Sequence, residues 1–491
     1  MAVLDFFRRK PKMTPSRRQY TAAAGGRLWA DWFSPNQSAD QSITPGLQTI
    51  RDRCREQARN NDYARRYLHL LSTNVIGPTG IRVQSKRVDN AGTLDKDGNA
   101  AVETAWRSWT RRCTANGRLS WIDAQRLFLD SVARDGEVLI KLVRDPSLNA
   151  SGFALQFIDA EYLDVDLNGK AKNGESIRHG VQENVFGRAV AYHLLNAHPG
   201  DSPVAMEGRQ HTVIPASDML HCYRVERSDQ TRGVPWLATA LPRLKMLAGY
   251  EEAELISARL SSAKSAWLQP SESGVDEFVG EEYENQFTPE LTASPGEIGM
   301  LPPGYELRTW DTSHPSTAFP DFERAILRGI ASGLNISYQS LASDLSNVNY
   351  SSGRLGELAD RDAYRQQQTW VIDHFIEPIF RAWLREAIAN NAIFFGMTNY
   401  EAYADAAKYI GRSWAWVDPS KEANANLTAL QAGWTTLGDI EGGQYGRDVE
   451  ELFEQHKIEQ QLAQQYGLEL AFQPYGAKTP IQPATNEVPD E

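Results

Sequence analysis

Apolar positions recur at helical spacing over several long stretches of this chain and alternate at strand spacing in one region between them. From Gly46 to Val75, arginines and acids share the outer positions. Tyr67, Leu68, Leu71 and Val75 form an apolar edge, and Gly77-Pro78-Thr79-Gly80 ends the pattern. Ile81 and Val83 predict a short strand. Helices follow at Asn99 to Arg112, with Trp106 and Trp109, and at Ile122 to Arg134, with Leu127, Phe128 and Val132 on one face. Residues 135–226 change period. Val138 to Val143 and Phe153 to Ile158 read as strands. Ile177 to Glu183 and Ala189 to Leu195 flank Asn184-Val185-Phe186-Gly187 as an antiparallel hairpin, and His211 to Ile214 and Met219 to Val225 complete the set.

The second half is mainly helical. A rod runs from Pro242, in its first turn, to Trp267, with Ile256, Leu260, Ala263 and Trp267 as its stripe. A second rod starts near Pro320, carries Asp321 and Glu323 where the helix dipole favours anions, and repeats Phe322, Ile326, Ile330 and Leu334 at i, i+4. A long amphipathic helix begins at Ser351 or Ser352 and runs toward Asn390, with Val371, Phe375, Ile379 and Trp383 as its stripe and a kink at Pro378. Residues 400–470 read as helical again. The fold class this predicts is α+β, mainly helical.

Two segments interrupt the rods. Between Ser271 and Met300 stand eight acids and no Lys or Arg, among them Glu277, Glu281, Glu282 and Glu284; prolines punctuate the stretch, and short strands are expected at Pro295 to Ile298 and Gly304 to Leu307. Helix, compact acidic insertion, helix describes a rod with a tip. Ser343 to Ser352 is a polar Asn/Ser-rich loop between helices, which marks a functional loop. At the ends, residues 1–45 form an arm with a basic run (Arg8, Arg9, Lys10, Lys12, Arg17, Arg18), and 471–491 is a Pro/Thr/Asn-rich tail expected to be disordered.

Composition narrows the function. The chain of 491 residues carries 51 basic against 63 acidic side chains, net −12, which argues against a protein that grips the outside of DNA with a basic face. The arginines of 51–66 read as a solvated, salt-bridged helix face. Three scattered cysteines form no CxxC pair and fit a reducing cytoplasm, and no apolar run approaches the length of a membrane span. His179, His193, His198, His211 and His221 fall on alternating strands without zinc-site spacing, so no metal or other cofactor is expected. An enzyme would have to use Asp344 or Glu357 as acid/base, or His198 with Asp201. The phosphate-binding GxxxxGK[ST], GxSxG and HExxH are all absent.

Six stretches, in order along the chain, carry a family likeness: RNNDYARRYLHLLSTNVIG (59–77), RDGEVLIKLV (134–143), AVAYHLLNAHPGD (189–201), VERSDQTRGVPWLATAL (225–241), YEEAELISARLSSAKSAW (250–267) and SDLSNVNYSSGRLGELADRDAYRQQQTW (343–370). The chain resembles the lambda-type tailed-phage portal proteins. That resemblance implies a homo-oligomeric ring of about twelve subunits at one capsid vertex, through which double-stranded DNA is packaged and ejected. It implies an N-terminal arm (1–45), a wing (46–233), a first stem helix (234–267), a clip (268–315), a second stem helix (316–342), a tunnel loop (343–352), a long kinked wing helix (353–399), a helical crown (400–470) and the tail. It also implies partners: the terminase large subunit, head–tail adaptor or connector proteins and the major capsid protein, with assembly in the host cytoplasm and no membrane. On this reading Asn347, Asn349, Tyr350 and Ser351 touch DNA, Arg259 and Lys264 form weak cationic rings, and Glu277, Glu281, Glu282 and Glu284 dock partners. A net-acidic chain agrees, because cationic phosphate contacts release counterions and would stall moving DNA. The alternative is another capsid shell or scaffold protein and, behind it, an enzyme; a ring with a central hole discriminates.

Overall fold

A computed structural model describes residues 35–89, 92–201, 210–262, 266–270, 305–309, 319–346, 349–414, 419–442 and 449–468. Helix α1 (Ala39–Asn60) starts seven residues before the expected Gly46. The reason is local: Ser38 caps it, accepting the Gln41 N–H at 3.2 Å, and the helix tolerates Pro45 in its interior. Asn61 breaks the long run predicted to Val75 by capping α2 (Asp62–Leu71) through Tyr63 and Ala64 N–H. A π-helical turn, Ser72–Ile76, ends at Gly77, whose φ of 77° only glycine adopts freely. Strand β1 (Arg82–Ser85) and helices α3 (Lys96–Trp109) and α4 (Trp121–Asp135) follow.

The β region forms two antiparallel sheets. Strands β2 (Glu137–Arg144), β3 (Phe153–Ile158), β4 (Gly169–Lys170), β5 (Ser176–Arg178), β6 (Val181–Glu183), β7 (Ala189–Leu195), β8 (His211–Pro215) and β9 (Met219–Tyr223) order as β3-β2-β9 and β4-β5-β6-β7-β8. The strand expected over Ile177 to Glu183 is two strands. His179 (φ 50°) and Gly180 (φ 82°) make a two-residue turn between Arg178 and Val181, the left-handed pair that matches strand twist. Alternation along β2 sends Val138 and Ile140 into the main core and Leu139 into a smaller cluster with Leu163, Val181, Tyr192, Leu194, Ile214 and Met219. The three-stranded sheet therefore separates the larger sheet from the helices.

Helix α5 (Leu241–Ser262) opens with Pro242 in its first turn, as expected, but ends five residues before Trp267. Trp267 lies instead on β10 (Ala266–Pro270), paired antiparallel with β11 (Tyr305–Thr309). Then come α6 (Phe319–Gly333), α7 (Tyr338–Ala342), α8 (Tyr350–Val371), a π segment Ile372–Ile376, and α9 (Glu377–Ala389). The predicted kink at Pro378 takes the form of that π segment, directly before the proline. Helix α10 (Tyr400–Asp405), strand β12 (Ala407–Ile410), and helices α11 (Pro419–Gln431), α12 (Leu437–Ile440) and α13 (Val449–Gln465) complete the chain. The 400–470 stretch is thus not wholly helical: β12 supplies β1 with its partner, Arg82 facing Ile410 and Ser85 facing Ala407, and satisfies backbone groups that β1 would otherwise expose. Among the described residues helix predominates, at about 55%.

Tryptophan burial explains part of that residue's abundance. Trp106 stacks on Trp109 with ring centroids 4.8 Å apart and meets Trp383 edge-on at 4.8 Å, while Phe128 lies 4.2 Å from Phe375. These rings join α3, α4, the π segment and α9 into one core.

Candidate nucleic-acid interface

The two rods pack where their sequences meet in aromatics. Tyr250 of α5 stacks on Phe319 at 5.5 Å and meets Phe322 edge-on at 5.0 Å. Tyr63 of α2 donates to Glu323 at 3.1 Å, with Glu251 at 3.5 Å, so it bridges carboxylates on both rods. Burial and the nearby Glu323 raise the pKa of Glu251. At the base, Thr239 Oγ1 donates to the Gly333 carbonyl at 3.1 Å, and Arg243 lies against Gly329.

Helix α5 is not amphipathic in the ordinary sense. Leu244 and Leu247 are buried, yet Met246 is 73% exposed, Leu255 54% and Ile256 48%. Met246 and Leu255 are nine positions apart, which at about 100° per residue places them on opposite faces. A helix with apolar side chains on opposite faces fits neighbours on both sides better than a single partner. Of the expected stripe, Ile256 is exposed and Trp267 is on a strand; Ala263 lies outside the described residues, and no burial is described for Leu260.

The loop after α6 is fastened at both ends. Asn335 (φ 55°) turns the chain, and Ser337 caps α7. Asp360 of α8, itself buried, accepts the Ser337 N–H at 2.8 Å and the hydroxyls of Ser337 and Ser340 at 2.7 Å each. At the other end of α7, Ser343 (φ 56°) leads to Asp344, which accepts Tyr338 Oη at 2.7 Å, Ser346 N at 3.0 Å and Ser346 Oγ at 2.6 Å. The Ser346 and Tyr338 bonds pull the Asp344 carboxyl down to about 2. It is ionised at neutral pH and is no general acid; its role is to shape the turn. Glu357 pairs with Arg361 at 2.5 Å.

Helix α8 begins at Tyr350, so the loop is shorter than 343–352. Asn349 directly precedes the helix, is exposed, and its carbonyl accepts the Gly353 N–H at 2.9 Å. Tyr350 and Ser351 occupy the first turn of α8. Asn347 lies outside the described residues, as do Lys264, Glu277, Glu281, Glu282 and Glu284. Arg259 is exposed in the last turn of α5. The site thus combines a pinned turn with the N-terminal end of a long helix; Arg259, near the far end of α5, makes no described contact with it. Sequence reasoning missed the pinning residues Asp360 and Arg324, the latter 3.9 Å from Asp344. The one signal in the sequence was Ser337 three residues before Ser340, a helix-cap spacing.

The other candidate chemistry disperses. His211 meets Asp164 at 2.8 Å, His221 meets Glu137 at 3.1 Å, His193 meets Gln182 at 3.1 Å, and His179 meets the Val165 carbonyl at 2.8 Å. His198 Nδ1 accepts the Gly200 N–H at 3.1 Å, and Asp201 bonds to the His198 carbonyl through its backbone N–H. Among the described residues, no group of three His, Cys, Asp or Glu could hold a metal ion, and no helix is long and apolar enough to cross a membrane.

The chain belongs to the lambda family of phage portal proteins, whose sequence pattern matches residues 25–368. It is 31% identical to the probable portal protein of Halomonas phage phiHAP-1 over 99% of this chain and 93% of that one. It is 23% identical to portal protein B of Escherichia phage lambda over 88% of this chain and 86% of that one, and 24% identical to the portal protein of Escherichia phage N15, covering 90% and 89%. A solved structure titled as the neck of a native GTA particle with C12 symmetry is similar at a TM-score of 0.40 and 10% identity, covering 82% of this chain and 98% of that one. The family assignment rests on the sequence matches.

Proposed function

We propose that this chain is the subunit of a ring-shaped portal at one capsid vertex, through which double-stranded DNA is packaged and ejected. The observation that carries this reading is the family match over 25–368, joined to full-length similarity to phage portal proteins. The structure supports it in one specific way. Helix α5 exposes Met246 and Leu255 on opposite faces, which suits a rod held between two copies of itself around a closed ring. On this reading α5 and α6 form the stem, β10 and β11 the root of the clip, the β sheets with α1 to α4 the wing, and α11 to α13 the crown.

The loop from Ser343 to Asn349 then lines the channel. Amide and hydroxyl groups touch phosphate without the counterion release that makes cationic contacts adhesive. Arg259 adds a sparse positive ring. The clip acids would dock the terminase large subunit and, later, the head–tail connectors, and the wing would meet the major capsid protein. Assembly in the host cytoplasm fits three buried free cysteines. The role is structural, not enzymatic. Negative-stain images of the purified full chain test it: rings with a central hole are expected, and a monodisperse monomer or a closed shell would overturn the reading.

A further inference from the structure

The described charges are not spread evenly. Between the β1–β12 pair, α8 and the start of α12 lies a cleft of about 610 Å³ whose lining includes Lys86, Arg365, Lys408 and Arg412, with Asp439 as the one carboxylate among the described lining residues. Asp439 is already engaged: its Oδ2 accepts Thr436 Oγ1 at 2.7 Å and Thr436 N at 3.3 Å as the cap of α12.

The cations are held mainly by an aromatic ring, neutral acceptors and partly exposed carboxylates. Trp414 carries Arg365 at 5.5 Å and Arg412 at 5.9 Å from its ring centroid. Arg412 donates to the Thr73 carbonyl and, at 2.9 Å, to Asn74 Oδ1, both neutral acceptors. Burial and the nearby Arg361 both lower the pKa of Arg412, as excess positive charge does. Lys408 stands across the ladder from Gln84, is exposed, and makes no ion pair among the described residues. Among the described residues the one ion-pair partner of Arg365 is the exposed Asp362 on its own helix, at 2.9 Å, and Lys86 meets Glu450 at 3.6 Å with that carboxylate half exposed.

We infer that this cleft is a second DNA site, which binds the phosphodiester backbone of duplex DNA through Arg365, Lys408 and Arg412. A chain of net −12 that holds Arg365 and Arg412 against one tryptophan, with the exposed Lys408 beside them, has built a local anion trap. The cations sit on α8, on β12 and just beyond it, along an open cleft, which suits successive phosphates better than one small anion. The contacts are to backbone, so binding is independent of base sequence. The inference rests on the portal reading, since a ring repeats the cleft around its axis and multiplies weak contacts.

The test uses rings of the full chain and a covalently closed duplex circle, which cannot thread a closed ring and so reports sites other than the channel. Rings should bind the circle with strong salt dependence. The double variant Arg365→Gln/Lys408→Gln should form the same rings, bind the circle at least ~10-fold more weakly near 100 mM salt, and show a log K against log salt slope shallower by about 2. Inorganic phosphate at low millimolar concentration should not compete. Absence of rings would remove the portal reading itself. Rings that ignore the circle, a variant that binds it as well as the parent, or displacement by inorganic phosphate would each overturn the DNA site.

Discussion

Cys222 donates its thiol to the carbonyl of His374 at 3.1 Å, and that carbonyl stands four residues before Pro378, which has no N–H to offer it. A strand of the three-stranded sheet is thus hydrogen-bonded to the backbone of the π segment just ahead of the proline. Burial raises the Cys222 thiol pKa far above its ordinary value, so the group stays a neutral donor. Cys222→Ala should lower stability by about 1–3 kcal/mol, because it removes a buried hydrogen bond and packed volume, and Cys222→Ser should recover part of the loss. Urea unfolding midpoints of the two variants check this; equal midpoints would mean the thiol only fills space.

The same logic makes native thiols silent. Cys54 and Cys113 are also buried, and burial pushes each thiol up to about 12. At pH 8 none of the three should react with a thiol reagent in the folded protein, and all three should react in denaturant. One equivalent of fast labelling under native conditions would contradict the burial of Cys54 on α1, Cys113 beyond α3 and Cys222 on β9.

Glu137 is the hub of a buried charge cluster. It pairs with Arg232 at 2.5 Å and Arg51 at 2.6 Å and accepts the Gly233 N–H at 2.8 Å, which ties the chain ahead of α5 to α1 and β2. Burial works to raise its pKa, but Arg232 and Arg51 outweigh burial and hold it well below the usual carboxylate range. A depressed carboxylate contributes stability above its unfolded pKa of about 4.3 and loses it as pH falls toward the folded value. Glu137→Ala strands two buried guanidinium groups and should cost about 3–5 kcal/mol at pH 7. The deficit against the parent should shrink below pH ~4, as read by thermal melts across pH.

If α5 is flanked by copies of itself, Met246→Asp or Leu255→Asp should leave the subunit folded but unable to close a ring. Both side chains are more than half exposed in the single chain, so each change should alter subunit stability by no more than about 0.5 kcal/mol. Size-exclusion with light scattering should show subunits or short arcs in place of rings. Normal rings from both variants would place the subunit interface elsewhere.

Much of this organisation was legible in sequence because period and punctuation agree with tertiary structure. Pro242, Pro320 and Pro378 each fall in the first turn of a helix, and Phe153 to Ile158 is a strand as expected, although its first three residues are all buried and do not alternate. The misreadings share one cause: a partner distant in sequence decides. Ala407–Ile410 is a strand because β1 lies beside it, over 300 residues earlier. Trp267 leaves its helix pattern because β11 pairs with β10. His179-Gly180 hides a turn inside a strand-like run, since a histidine at positive φ carries no sequence mark. For the loop, the polar composition of 343–352 was visible, while its pinning by Asp360 was not, because an aspartate on a helix reads as a solvated face.

The loop offers the sharpest separation of anchoring from contact. Asp360 accepts three hydrogen bonds from Ser337 and Ser340 and is buried, so Asp360→Ala should release α7 at a cost of about 2–3 kcal/mol and speed amide exchange there. Asp344 holds the opposite end from a partly buried position, and Asp344→Asn should loosen Ser343 to Ser346 with little change in global stability. Replacing Asn347 to Tyr350 with Gly/Ser leaves both anchors in place and removes only the groups proposed to touch DNA. That variant should form normal rings yet package shorter or less stably retained DNA. Because its Asp360 and Asp344 clasps are intact, exchange rates in α7 should match the parent. Unchanged DNA length and retention in that variant, beside a defect in Asp360→Ala, would show that the loop acts through its rigid frame and not through contact with DNA.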